Sequence, residues 1–202
     1  MWHNRETLDQ AVELAEKVAE HLDGYEAFIR RDDYTTTIEL VKDGIFRLSF
    51  YQLYNDKGRA RITGVLPHDP HGDVWGIEGG EITVSMTRDP KAVAKDIARR
   101  LVSEYEPNVE QALIKIANGD KRRNQLDELI DDLTGRIPGA TKYGAADRRA
   151  VRLPYQHSTD DRDKNLNGDI EISSGGYAHV AIRTENVAFL RDLADLIAKY
   201  QD

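Results

Sequence analysis

"IFRLSFYQLYNDKGRARITG", residues 45–64, is the stretch whose reading decides the fold. Phe46, Leu48 and Phe50 alternate with Arg47 and Ser49, the period of a strand that buries one face and leaves the other to solvent. Asn55-Asp56-Lys57-Gly58 is a compact turn, and "RARITGVL" resumes strand character beyond it. Strands joined by so short a link run antiparallel. Upstream, "YEAFIRR" and "YTTTIELV" are divided by Asp32-Asp33, and a turn at Asp43-Gly44 leads into the quoted stretch. Downstream, after a segment rich in Pro, His and Gly, "EITVSM" sets Ile82, Val84 and Met86 on one face. Consecutive strands with short connections predict an antiparallel meander.

Helical patterns flank it. Over residues 5–22, Leu8, Val12, Ala15, Val18, Ala19 and Leu22 form one stripe, and Gly24 supplies a stop. Asp89-Pro90 marks a helix start, with Val93, Ala94, Ile97, Leu101 and Tyr105 facing inward. Pro107 is expected to break or kink that helix. A second helix over 108–118 would turn Val109, Leu113 and Ile116 inward. A third would run from Gly119 to Gly135, with Leu126, Leu129, Ile130 and Leu133 inward. "IPGATKYGAA" has linker composition. "RRAVRLPY", "GDIEIS" and "YAHVAIR" read as strands, and Thr184 caps a last helix whose stripe is Val187, Leu190, Leu193, Ala194 and Ile197. The order predicts an α+β fold: an N-terminal domain over 1–118 with helix, antiparallel sheet and helices, and a smaller C-terminal helix–strands–helix unit over 119–202.

The chain of 202 residues has a net charge of −8 and no cysteine, which excludes disulfides, thiolate zinc sites and thiol nucleophiles. No apolar run approaches the roughly 18 residues of a membrane span, and the polar start "MWHNRETLDQ" lacks the core of a signal peptide. A cytoplasmic location is therefore expected. The first 24 residues carry 2 basic and 6 acidic side chains, half of the negative excess.

Four features carry chemistry. "DKNLNGDIEISS", residues 163–174, opens like a calcium loop: Asp163, Asn165 and Asn167 alternate, Gly168 follows, and Asp169 and Glu171 could add oxygens. Asp160 and Asp161 lie just before it. Ser174 stands where a bidentate glutamate belongs, and Asn-Gly suits an ordinary turn, so the plain turn is the leading reading and no cofactor is expected. In "PHDPHGD", His68, Asp69, His71 and Asp73 offer metal donors, but a loop rich in turn formers lacks the platform that aligns them. Basic residues are the third feature. Lys91, Lys95 and Arg99 share a helical face, Lys121, Arg122 and Arg123 are consecutive, and Arg47, Arg59 and Arg61 accompany Tyr51 on the meander. Asp96, Glu104 and Glu106 interleave the helical charges, so little nucleic-acid binding is expected at physiological salt. His179, the fourth, alternates with small apolar neighbours as a strand residue does.

The run "GGEITVSMTRDPKAVAKDIARRLVSEYEP", residues 79–107, together with residues 45–64, resembles proteins of uncharacterised function encoded by phages and mobile elements of actinobacteria. The similarity spans residues 8–116 and is one of fold pattern. It implies an accessory viral or mobile-element protein, in the host cytoplasm if viral, and it transfers no catalytic residue. Catalytic motifs are missing from the sequence, so the leading expectation is a non-enzymatic binding protein acting through a protein partner, with self-association compatible and membranes excluded. The alternative is a nucleic-acid-binding accessory protein using Arg47, Arg59, Arg61, Lys95 and Arg99. The second alternative is a hydrolase with a cation near Asp163.

Overall fold

A computed structural model describes residues 5–31, 36–53, 56–145, 148–154, 166–173, 175, 177–184 and 186–200. The chain divides into two compact units, Met1–Ala117 and Asn118–Asp202. Both mix helices with antiparallel sheet, so the fold is α+β.

The first unit opens with α1 (Arg5–Ala19) and continues through β1 (Glu26–Arg31), β2 (Thr36–Lys42), β3 (Phe46–Leu53), β4 (Asp56–Val65) and β5 (Glu81–Ser85). The five strands lie in chain order, each antiparallel to the next. This is the meander that the alternation predicts. Ile38, Leu40, Leu48, Phe50, Ala60, Ile62, Ile82 and Val84 all face one core. The same core takes Ala11, Leu14, Ala15 and Val18 of α1. The stripe of α1 is rotated from the expected one: Ala11 and Leu14 are buried, while Leu8, Val12 and Ala19 sit at its margin.

Asp89 caps α2 (Pro90–Ile97), its carboxylate accepting from the Ala92 N–H at 3.0 Å, with Pro90 in the first turn. Residues 98–102 then make a π turn, and the Ser103 hydroxyl donates to the Arg99 carbonyl at 2.8 Å. From there α3 runs unbroken over Ser103–Arg136, with Pro107 inside it. The expected breaks at Pro107 and Gly119 do not occur. Proline removes one rung of the ladder. One rung is too little to end a helix in which Tyr105, Val109 and Ala112 are buried in succession. Leu113 instead points to solvent, 38% exposed, and Leu129 is 44% exposed.

In the second unit, β6 (Thr141–Ala145), β7 (Arg148–Arg152), β8 (Leu166–Ser173) and β9 (Ala178–Thr184) form a four-stranded antiparallel sheet. Leu126 and Ile130 of α3 pack with Val151, and Ile170 and Ile172 flank them. Three expectations are corrected here. The stretch read as a linker contains β6, paired to β7 along its length; its small residues and Gly144 hide a strand that pairing alone creates. The turn expected at Asn167-Gly168 is strand from Leu166 onward. Gly168 sits at φ +152°, and a Cβ there would come within 1.9 Å of the Ala181 carbonyl oxygen, so glycine serves close strand approach and not reversal. The cap of α4 (Val187–Lys199) is Asn186, which accepts from the Phe189 N–H at 2.9 Å; the Thr184 hydroxyl accepts from the Asn186 N–H. No residue of α4 is buried, and Leu190 and Ile197 of its apolar stripe are about half exposed.

Among the described residues, no helix is long and apolar enough to cross a membrane.

Candidate binding face

The alternation that buries one face of the five-stranded sheet also defines the other. Since α1 and α2 pack into the core side, the opposite side of the sheet is covered by no helix of this unit among the described residues. Register places its side chains in rows. Phe28, Glu39, Ser49, Thr63 and Glu81 are successive partners across all five strands. The next row holds Arg30 beside Thr37 on β1–β2, and Tyr51, Arg61 and Thr83 on β3–β5. Arg59, beside Ser85, adjoins it. On the other side, Arg47 follows Val41 and Glu26.

Phe28 is 62% exposed and Tyr51 is 49% exposed, a large apolar outlay on one sheet face. Two shallow depressions mark the surface. One, of about 200 Å³, is lined by Phe28, Arg30, Thr37, Glu39, Val41 and Arg47. The other, of about 440 Å³, is lined by Tyr51, Gln52, Leu53, Arg61, Thr63 and Glu81. The carboxylates are concentrated at one side: Glu39 accepts from the Ser49 hydroxyl at 3.0 Å, and Glu81 lies 3.6 Å from Arg61. The row of Arg30, Thr37, Tyr51, Arg61 and Thr83, with Arg59, includes no carboxylate.

Of the five basic residues proposed from sequence, Arg47, Arg59 and Arg61 thus share the open face. Lys95 and Arg99 do not. They project from the helical layer on the core side, where Asp96 pairs with Arg88 at 2.6 Å and Arg99 at 3.4 Å, holding the Asp96 carboxyl below its usual range. The run at 121–123 is divided as well, because Arg123 is buried and paired with Asp120 at 2.8 Å. Phe28 and Arg30 were missed from sequence. Their period-2 phase was visible, but only pairing with β2 shows that this phase faces outward.

The remaining sequence candidates resolve into braces. Asp69 accepts from the backbone N–H groups of His71 and Val74 at 3.0 and 2.8 Å, which holds its carboxyl below the usual range and shapes the loop carrying Trp75. Asp163 and Asn165 lie outside the described residues. Asn167, Asp169 and Glu171 alternate along β8. Asp169 accepts from Tyr143 Oη at 3.0 Å and from Arg152 Nε at 3.4 Å, and Glu171 accepts from Arg148. Both carboxylates therefore already face guanidinium groups. Among the described residues, no three His, Asp or Glu side chains converge as a metal-binding group. Millimolar calcium should leave the melting temperature unchanged in the wild type and in Asp169→Asn. A site filled to a hundred times its dissociation constant would add about 2.7 kcal/mol, so a calcium-dependent rise lost in the variant would restore the metal reading.

Tyr25, Lys42 and Glu106 form a part-buried titratable cluster. The Tyr25 hydroxyl and Lys42 Nζ both donate to Glu106 Oε1, at 3.0 and 2.9 Å. Burial pushes the Tyr25 phenol far up, and the hydrogen bond to Glu106 adds to that shift; the same carboxylate raises Lys42. The carboxylate oxygen of Glu106 thus draws both donors together, and Lys42 Nζ also lies 5.7 Å from the centres of the Tyr25 and Phe46 rings.

Compared with protein families, curated proteins and solved structures, the chain matches none.

Proposed function

We propose that this is a non-enzymatic accessory protein, of phage or mobile-element origin, that binds an anionic macromolecular partner on the open face of its five-stranded sheet. The observation that supports it is the placement of Arg30, Arg47, Arg59 and Arg61 with exposed Phe28 and Tyr51 on the sheet face that no helix of the first unit covers among the described residues. The net charge of −8 does not oppose this reading. Half of the negative excess belongs to the first 24 residues, where Glu13 and Glu16 of α1 lie in the helical layer across the sheet. Charge separated by a sheet produces a local field that the total conceals.

Retention on immobilised heparin tests it. At low salt the wild type should be retained in spite of its acidic total, and Arg59→Glu/Arg61→Glu should flow through. Lys95→Glu/Arg99→Glu, on the other layer, should elute with the wild type. Flow-through of the wild type, or equal retention of all three, would remove the sheet face from the argument.

A further inference from the structure

We infer that the anionic partner is a single-stranded nucleic acid, lying across the strands along the row of Arg30, Thr37, Tyr51, Arg61 and Thr83; this rests on the open-face reading above. The row crosses five strands, about 19 Å at the usual strand spacing. That is room for a few nucleotides. Arginine is suited to phosphate because its planar fork makes paired, charge-assisted hydrogen bonds. Arg30 stands at one end of the row, and Arg61 with neighbouring Arg59 toward the other. Between them, Tyr51 exposes half of its surface. A ring in that position can stack on any unpaired base, since every base has a π-face. Phe28, one row away on the edge strand, supplies a second ring.

Two alternatives fit less well. A duplex hides its base faces and is read by a helix or ribbon entering a groove, and a flat sheet face offers neither, so its aromatic rings would contribute nothing. An acidic protein surface would be gripped by a patch with an apolar centre. Here the rings sit among Thr37, Glu39, Ser49, Thr63, Glu81, Thr83 and Ser85, and the aliphatic members, Val41, Val65 and Leu53, lie apart from one another rather than forming a centre. Averaged over the whole chain, the charges predict little binding. Sorted by face, Arg30, Arg47, Arg59 and Arg61 stand against Glu26, Glu39 and Glu81, and Glu81 reaches Arg61 from the adjacent row at 3.6 Å, so the open face is locally basic where the chain is acidic.

Fluorescence anisotropy with labelled dT and rU 15-mers and a 15-base-pair duplex, at 50 and 150 mM salt, tests the inference. The wild type should bind a single strand at least tenfold more tightly than the duplex. Tyr51→Ala should weaken single-strand binding about tenfold, as loss of one stacked base does, and Tyr51→Phe should restore most of it. Arg59→Gln/Arg61→Gln should lower the salt slope by about 1.4, at roughly 0.7 per phosphate contact on a single strand. Melting curves establish that each variant is folded. Heparin retention without oligonucleotide binding would overturn the inference, leave the face intact and point to an acidic protein. Equal affinity for duplex and single strand, or indifference to Tyr51→Ala, would also overturn it. Failure on heparin as well would overturn both readings.

Discussion

Tyr105→Ala should lower the unfolding free energy by about 3–5 kcal/mol, the range for removing a buried aromatic side chain. Tyr105 is 1% exposed and packs edge-on against Phe46, with ring centroids 6.3 Å apart. Its hydroxyl donates to the Val65 carbonyl at 2.8 Å and accepts from the Arg47 N–H at 2.7 Å, fastening α3 to the ends of two adjacent strands. Tyr105→Phe keeps the ring and leaves those backbone groups to find other partners, at a cost of roughly 1–3 kcal/mol. The ring also explains a glycine. A Cβ on Gly64 would lie 2.3 Å from the Tyr105 ring and 2.2 Å from the Gly79 carbonyl oxygen. Gly64→Ala should therefore destabilise by at least the roughly 1–3 kcal/mol of an overpacked site. It should remain costly in a Tyr105→Ala background, because the Gly79 carbonyl stays in place. Urea titrations of the four variants measure this; a Gly64→Ala protein as stable as wild type would mean that Gly79 and Tyr105 do not approach β4 as described.

Leu101→Ala should cost about 2–5 kcal/mol, whereas Leu193→Ala should cost no more than about 1 kcal/mol. The sequence patterns of the two positions are equivalent, both being central in an apolar helical stripe. Their surroundings are not. Leu101 is 2% exposed, in a core built from α1, the sheet and α2. Leu193 belongs to a helix without one buried residue, and truncating a side chain that is already part-solvated forfeits little transfer free energy. Circular dichroism at 222 nm during urea unfolding follows both variants. A loss of several kcal/mol at Leu193 would show that something covers α4.

The meander, the cap at Asp89 and Pro90, and the inward set of Val93, Ile97 and Leu101 were legible in sequence because each is written in local spacing. Alternation of two specifies which residues leave the same side of a strand, and spacing of three and four does so for a helix. Local spacing was less reliable wherever burial outvoted it. Pro107 and Gly119 signal an end to the helix, yet α3 continues, because several buried side chains outweigh one lost rung and one flexible residue.

The binding face shows the same division. Arg47, Arg59 and Arg61 were recognised from sequence as a basic strand set, and Lys95 and Arg99 as a helical one. Nothing in their spacing said that the sets lie on different layers. Phe28 and Arg30 join the face only because β1 pairs with β2 in a register that sets them beside Glu39 and Thr37. Sequence by itself determined which side chains travel together on an element: Phe46 with Leu48 and Phe50, Val187 with Leu190 and Ile197. Tertiary structure alone decided which of those sets meets a partner. Periodicity is a property of a few neighbouring residues, whereas burial is conferred by segments distant in the chain; hence the Phe50 set closed into a core and the Ile197 set stayed about half exposed.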